Sequence, residues 1–257
     1  MKVVAFDIWG DYGHFRRFFT TSSPLTYSFP PPTTVRGIVG AILGLSKDTY
    51  LQATANLAIG VRLLAPVKRV RWGVNLIFTK GKRGEFDPTL SSRRKGNVQG
   101  SVHTQVKVEY LKQPRFRLYI GGENALLNDL ESLLKVHRTH YTVSLGLSEL
   151  LADFAYMGTY RTEPLPPGTY EVTTVFPVDV LEGFDFNKEG QQTTVKLGKE
   201  RVPVYLTPDR TPFLYQNVVL EMQGRPIRAR VREMYRLDNG EVVYLWPPTS
   251  TRILVSS

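Results

Sequence analysis

Basic and aromatic side chains alternate near the beginning of the sequence, in a combination that suits contact with single-stranded nucleic acid. Residues 10–18 (GDYGHFRRF) place His14, Arg16 and Arg17 close to Tyr12 and two phenylalanines. Arginines neutralise phosphates, and unpaired bases stack on aromatic rings. The same pattern arises when the rings belong to the core and the arginines are only solvated, so both interpretations stay open. On the first interpretation, Arg16 and Arg17 are candidate phosphate contacts.

A proline-rich segment, residues 28–45 (SFPPPTTVRGIVGAILGL), predicts a helix with an abrupt beginning. Consecutive prolines fix an extended backbone, and Thr33 or Thr34 then serves as the N-cap of a helix over residues 34–45. The free N–H groups and the positive dipole end of its first turn favour an anion, and Arg36 lies beside them. We therefore count Thr34 and Arg36 among the candidate binding residues.

The predicted helix contains three glycines, Gly37, Gly40 and Gly44, whose spacing places them on one face. Each interior glycine costs about 0.5–1 kcal/mol relative to alanine, so the smooth face predicts the close approach of a sheet or of a ligand. Tight helix-on-sheet packing without any ligand is the alternative. The nucleotide-binding patterns G-x-G-x-x-G and G-x-x-x-x-G-K-[ST] do not occur in the sequence.

The positive charge of the chain is concentrated in one segment. Residues 68–118 contain thirteen lysines and arginines against three acidic residues, a difference of +10 that equals the net charge of all 257 residues. Nucleic acid is the usual partner of such a segment. A solvated basic face and an acidic protein partner are the alternatives.

Much of this charge lies between two segments with strand patterns. Residues 68–79 (KRVRWGVNLIFT) and 104–111 (TQVKVEYL) flank residues 80–103, which are polar, glycine-rich and too long for an ordinary hairpin turn. The pattern predicts a protruding hairpin or loop that a ligand orders. Its candidate contacts are Lys80, Lys82, Arg83, Arg93, Arg94, Lys95 and His103.

Composition excludes several other kinds of chemistry. The sequence has no cysteine, which excludes disulfides, thiolate metal sites and cysteine nucleophiles. His137 and His140 are three residues apart, and their spacing does not favour a zinc site, so we predict neither metal nor cofactor. No uncharged apolar run of about 18 residues occurs and the first residues lack a signal peptide's apolar region, so we expect a cytoplasmic protein without a membrane anchor.

The order of predicted elements gives the fold class. Residues 2–9 alternate as a strand, residues 47–64 continue as a second helical stretch, and residues 124–138 form an amphipathic helix. The resulting order β-α-β-β-α-β predicts a ferredoxin-like, RRM-like α+β domain over residues 1–162. Residues 163–168 (EPLPPG) read as a linker.

The last third of the chain is predicted to be a small β-rich domain, residues 169–257. Asp238, Asn239 and Gly240 favour a two-residue hairpin turn there. Arginines at 228, 230 and 232 share one strand face, and a solvated face is favoured over a binding face for them.

These segments together resemble the CRISPR-associated Cas-five family of the repeat-associated mysterious protein (RAMP) superfamily. The first strand, HFRRF, PPPTTVRGIVGAILGL and VSLGLSELLADF carry the resemblance, which covers residues 1–160. It implies a ferredoxin-like domain with a long hairpin thumb, residues 80–103, in a subunit of a type I Cascade complex. Such subunits cap the backbone filament, hold the 5′ handle of the CRISPR RNA, and lie near the large subunit and the target DNA. With the resemblance in view, Tyr141, Ser144 and Leu145 join the candidate RNA contacts.

Two other functions remain open. One branch of the family resembles metal-independent ribonucleases that cut precursor RNA with tyrosine, lysine and histidine. His14 and His103 are the histidines in candidate binding loops here, but no catalytic trio can be assigned, and we favour binding without cleavage. The third alternative is a protein-interaction module whose basic segment binds an acidic partner.

Overall fold

The computed structural model describes residues 1–18, 23–77, 103–123, 125–186 and 195–249. Its helices are α1 (Pro32–Leu43), α2 (Tyr50–Ala53) and α3 (Ala125–Lys135), with a 3-10 helix at Val178–Val180. Its strands are β1 (Lys2–Trp9), β2 (Tyr12–Gly13), β3 (Ala58–Leu63), β4 (Arg69–Ile77), β5 (His103–Lys112), β6 (Arg115–Gly122), β7 (Asp153–Leu165), β8 (Gly168–Val172), β9 (Phe176–Pro177), β10 (Leu181–Phe184), β11 (Leu197–Leu206), β12 (Pro212–Glu221), β13 (Ile227–Val231), β14 (Met234–Leu237) and β15 (Val242–Val243).

Most of the architecture is one mixed sheet of nine strands, in the order β10-β13-β8-β15-β14-β7-β1-β6-β3. The long strand β7 pairs with β1 along its first nine residues and with β14 along its last four. It therefore joins strands from the beginning and the end of the chain. Two further sheets have three strands each, β2-β5-β4 and β11-β12-β9. The mostly β architecture with helices on one sheet is compatible with the predicted α+β class.

Strand β1 lies inside the sheet and is buried on both faces. Val4, Phe6 and Ile8 point into the main core, as their alternation predicts, together with apolar residues of α1 and α3. Val3 and Ala5 point the other way, into a second cluster. Burial on both faces explains why six of the eight residues of this strand are apolar.

Helix α1 confirms the predicted helix but begins and ends differently. Its N-cap is Pro31 and its first residue is Pro32, and no side chain caps it, so the predicted threonine N-cap is wrong. Proline suits the first helical position because its missing N–H would have no partner there. The helix ends at Leu43, and Gly44 follows in the left-handed conformation with a φ of +73°.

The predicted second helical stretch, residues 47–64, is mostly wrong. Only the four residues of α2 are α-helical, and Ala58–Leu63 form β3, which pairs with β6. A short continuous apolar run does not distinguish a buried helix from a buried strand. Here β3 is the edge strand of its sheet, and Trp246 pairs beside it, exchanging backbone hydrogen bonds of 2.7 and 3.0 Å with Ile59.

The other predicted strands and the amphipathic helix are confirmed. Strands β4 and β5 form an antiparallel hairpin that pairs Arg69 with Leu111 and Ile77 with His103. The loop that would complete this hairpin, residues 78–102, lies outside the described residues. Most of residues 163–168, predicted to be a linker, lie in strands, because β7 ends at Leu165 and β8 begins at Gly168, with only two prolines between them. Within the described ranges, no helix is long and apolar enough to cross a membrane.

Candidate nucleic-acid interface

A hollow of about 330 Å³ lies between the first turns of α1 and the loop at residues 142–146. Two of the predicted contact residues, Thr34 and Ser144, line it together although they are far apart in the sequence. The lining residues are Phe18, Thr33, Thr34, Gly37, Ile38, Ala41, Tyr50, Thr142, Val143, Ser144, Gly146 and Leu206. Hydroxyl groups and apolar surface thus share one cavity.

The three helix glycines have different roles. A Cβ at Gly40 would lie 2.9 Å from Cβ of Tyr50, so this glycine allows the Tyr50 side chain to approach the helix. Gly44 is packed in the same way against His140. A Cβ at Gly37, in contrast, would meet no atom within 4 Å, and Gly37 lines the hollow. The predicted close approach is therefore made by two side chains of the protein, and only Gly37 leaves open space.

The loop that forms the other wall is fixed to the end of α1. The backbone N–H of His140 donates to the carbonyl of Ile42 at 3.1 Å, and that of Tyr141 donates to Ala41 at 3.0 Å. These bonds use carbonyls that the helix end leaves free. Gly146 has a φ of +103°, and a Cβ there would overlap the His14 carbonyl oxygen. Only glycine therefore fits at this contact between the loop and residues 14–15.

Arg36 is buried, and its prediction as a phosphate contact is wrong. Its guanidinium donates to the carbonyl oxygen of Leu57 at 3.0 Å and to that of Thr54. Burial lowers the pKa of Arg36 to about 10, which leaves it charged at neutral pH. Its position on the inner face of α1 gives it a structural role, because it holds the segment before β3 against the helix.

Burial also removes Leu145 and two residues of the aromatic segment from the candidate surface. The Leu145 side chain is fully buried, and its backbone N–H and carbonyl are both hydrogen-bonded, so its prediction as a contact is wrong. Phe15 packs against Phe116 in the core, which excludes it as a base platform. His14 is buried as well, with Nδ1 2.7 Å from the Glu109 carbonyl oxygen, which it reaches as a donor.

The two arginines of the first segment differ in exposure. Arg16 is exposed and forms no ion pair within the described part of the chain. Arg17 is only 32% exposed, donates to Glu200 at 2.6 Å, and lies over the Tyr27 ring. Tyr141 is 55% exposed, next to the hollow. Arg16, Arg17, Thr34, Tyr141 and Ser144 thus remain predicted contacts, with the charge of Arg17 already balanced inside the protein.

An ionic network beneath Arg17 was not predicted by any sequence pattern. Glu200 accepts from Arg17 and from Arg69, at 2.6 and 2.9 Å, and Glu109 accepts two hydrogen bonds from Arg71, at 3.0 and 3.1 Å. The network joins the loop after β2, the hairpin β4–β5 and strand β11. Because β11 follows β4 by more than a hundred residues, no local pattern links these charges.

Sequence reasoning also missed a cation near the hollow. Arg210 lies in the turn between β11 and β12 with a φ of +64°, and it is exposed. Burial raises the pKa of Tyr50, which lines the hollow, and the nearby charge of Arg210 opposes this effect. Within the ranges that the structure covers, Arg210 has no carboxylate partner. No signal in the local sequence connects it to α1.

The remaining predicted contacts cannot be placed. Lys80, Lys82, Arg83, Arg93, Arg94 and Lys95 lie outside the described residues, and His103 begins β5 without a described side chain. Among the residues that are described, no three His, Asp or Glu side chains form a group that could hold a metal ion.

A family model described as CRISPR-associated protein (Cas_Cas5) matches residues 3–207. The chain belongs to this Cas-five family. No curated protein sequence matches it. Its fold is similar to a CRISPR protein from Archaeoglobus fulgidus, with 17% identity, a TM-score of 0.55, and coverage of 96% of this chain and 99% of the other. It is also similar to a chain of a CRISPR RNA-guided surveillance complex, with 14% identity, a TM-score of 0.53, and coverage of 89% and 91%.

Proposed function

We propose that this chain is a non-catalytic RNA-binding subunit of a type I Cascade complex that holds the 5′ handle of CRISPR RNA and caps the backbone filament. Membership of the Cas-five family supports the CRISPR assignment, and the similarity to a chain of an RNA-guided surveillance complex supports the assembly. The observation that carries the binding role is the hollow that unites Thr34 and Ser144 beside the open face of Gly37.

The sheet order supports a ferredoxin-like domain at residues 1–162. Its four strands β7-β1-β6-β3 are antiparallel, α1 connects β1 to β3 along the chain, and α3 connects β6 to β7. Both helices pack their apolar residues into the main core under this part of the sheet. We propose that the hairpin β4–β5 is the base of the thumb, and that residues 169–257 form the smaller β-rich unit.

The hollow has properties that suit part of an RNA strand. Its volume is at the lower end of that of ligand pockets, about 300–1,000 Å³. The hydroxyls of Thr34 and Ser144 can hydrogen-bond base edges or a ribose, and the positive end of the α1 dipole favours a phosphate. Arg210 and Arg16 supply exposed charge for the adjoining backbone. If about six phosphates are neutralised in all, log affinity falls against log salt concentration with a slope near −4.

The proposed surroundings follow from the same assignment. The backbone-filament subunit, the large subunit and the target DNA would lie next to this chain, in the cytoplasm. Cleavage of precursor RNA by the chain itself is the alternative function. The burial of His14 supports binding without cleavage, since a general acid or base must reach its substrate.

The test uses the purified chain, end-labelled CRISPR repeat RNA and EDTA, with each sample divided between a native and a denaturing gel. We expect a native shift with intact RNA. A discrete cut in EDTA would favour the ribonuclease. Absence of both shift and cut would contradict RNA binding by the isolated chain, and salt-sensitive capture of an acidic protein in its place would favour the interaction module.

A pair of variants tests the hollow itself. Gly37→Leu fills the open space, so we expect RNA affinity to fall at least tenfold with little loss of stability. Gly37→Ala is the matched control, because its methyl group has room and should leave affinity within about twofold. Equal affinity for Gly37→Leu and the wild type would contradict the placement of RNA in the hollow.

Charge reversal tests the thumb. Replacement of Arg93, Arg94 and Lys95 with glutamate should abolish assembly on guide RNA, because three cations near the phosphates become anions. The circular dichroism spectrum and melting temperature should stay unchanged. Normal assembly of this variant would remove the thumb from the proposed interface.

A further inference from the structure

The hairpin β4–β5 has an apolar face that the rest of the described structure covers only in part. Because side chains alternate along a strand, Trp72, Val74 and Leu76 project to one side of β4, and Arg69 and Arg71 project to the other. Trp72 is 45% exposed and Leu76 is 49% exposed. The hairpin thus presents an indole ring to solvent near the candidate interface.

Neighbouring rings hold this indole in place. The Tyr12 ring meets Trp72 edge-on with a centroid distance of 4.5 Å, and Tyr110 lies tilted against it at 5.4 Å. Tyr110 in turn lies 5.7 Å from the His14 ring. Aromatic contacts of this kind fix ring orientation, so Trp72 is exposed without being free to reorient.

The aromatic row leads to the hollow. His14 donates its backbone N–H to the Leu145 carbonyl at 2.8 Å, and its own carbonyl lies against Gly146, which lines the hollow. The contacts between Trp72, Tyr110, His14 and Gly146 are therefore continuous. Because Tyr110 and His14 are buried, this row is a packed connection inside the protein that fixes Trp72 relative to the wall of the hollow.

Charge indicates which occupant fits the face. Lys112, on the same face as Trp72 and Tyr110, and Lys68, beside it, are exposed, and neither forms an ion pair with a carboxylate in the described ranges. Glu109, the acidic residue of the hairpin within those ranges, is already paired with Arg71 and Arg69. A ligand that combines negative charge with flat apolar surface complements both features, and single-stranded RNA has this chemistry.

We propose that Trp72 is a stacking platform for an unpaired base of the RNA strand that occupies the hollow. This inference rests on the proposed function. It adds a residue that supplies affinity through stacking, whereas the lysines around it act on phosphates. An apolar surface of a partner protein is the competing occupant, and the experiment below separates the two.

The experiment compares the full-length wild type with Trp72→Ala and Trp72→Phe on CRISPR repeat RNA over a series of salt concentrations. Base stacking on an aromatic ring is worth about 1–3 kcal/mol, so Trp72→Ala should weaken binding about 5- to 140-fold. Trp72→Phe keeps a ring and should lose less. The salt slope should stay unchanged for both, whereas Lys112→Ala should reduce its magnitude by about 0.7, as expected for one lost phosphate contact.

A fluorescence titration gives a second readout that does not depend on the stability of Trp72→Ala. RNA should quench wild-type tryptophan emission, and an abasic strand of the same length should not. Trp72→Phe should lack the quenching, since Trp9 and Trp246 are left and Trp246 is buried. Equal quenching by the abasic strand would contradict stacking. Stacking would also be contradicted if acrylamide failed to quench the emission of Trp72 in the free protein.

The outcomes distinguish this inference from the function on which it rests. Binding by the wild type with unchanged affinity in Trp72→Ala overturns the platform and leaves the RNA-binding proposal intact. If the wild type does not bind RNA, both the stacking platform and the RNA-binding proposal are overturned. If Trp72→Ala causes a partner protein to be lost from the complex while RNA affinity stays unchanged, the apolar face of the hairpin would be assigned to that partner.

Discussion

Glu200 offers the sharpest test of how the candidate interface is held together. Its carboxylate accepts from Arg17 at 2.6 Å, from Arg69 at 2.9 Å, and from the backbone N–H and hydroxyl of Ser28 at 3.0 and 2.8 Å. The perturbation is Glu200→Ala. It removes the shared acceptor and leaves two guanidinium groups close together without their counter-charge.

The expected cost follows from burial. Removing one partner from a buried ion pair costs about 3–5 kcal/mol. Glu200 is buried, but Arg17 and Arg69 are 32% and 34% exposed, so water recovers part of that loss. We therefore expect the free energy of unfolding to fall by about 2–3 kcal/mol, which for a chain of this size lowers the melting temperature by about 5–10 °C.

The assay is thermal unfolding by circular dichroism, with urea unfolding as a second measurement. Glu182→Ala is the matched control, because its carboxylate pairs with two arginines, Arg230 and Arg232, that are mostly exposed. Such pairs contribute about 0–1 kcal/mol. Similar small losses for both variants would refute the reasoning, because Glu200 would then act as an ordinary surface charge.

Three further predictions concern stability. Gly40→Ala should destabilise the protein because the new methyl group would press on Tyr50, whereas Gly37→Ala should be neutral or stabilising by up to about 1 kcal/mol in urea unfolding. Arg36→Ala should lower the melting temperature without changing the salt slope of RNA binding, and a change of slope would restore it as a phosphate contact. Hydrogen bonds, first from Lys135 and then from Lys2, lower the pKa of Glu131 to about 2, so its stabilisation is present above pH 4.5 and disappears as pH falls towards 2. Glu131→Gln should therefore lose less stability than the wild type between pH 4.5 and 2.

Local periodicity was sufficient for elements whose burial follows a simple pattern. The alternation in β1, the strands that flank residues 80–103, and the leucines of α3 were all predictable, since each places apolar residues on a face that is buried. The helical interpretation of residues 47–64 failed because an unbroken apolar run fits a buried strand equally well. These elements were therefore predictable because each has a regular apolar period.

The candidate site was less predictable because it depends on tertiary packing. The sequence placed Arg36 beside the anion-binding end of a helix, but only the packing of α1 shows that this side chain points inward. Thr34 and Ser144 were predicted separately, and their meeting in one hollow needed the fold. Glu200 lies in β11 and Arg210 in the turn after it, both more than 150 residues beyond α1, and no local pattern connects them to it.

The position of β1 in the sheet has a consequence for synthesis on the ribosome. Its two neighbours, β6 and β7, follow it by more than a hundred residues, and β7 is complete only at Leu165. At about 5–20 residues per second, a strand that is apolar on both faces waits roughly 8–30 seconds for its second partner. During that time its unpaired edges can bind other chains. Yield in the cell should therefore respond to translation rate and chaperone supply more strongly than the stability of the finished protein suggests.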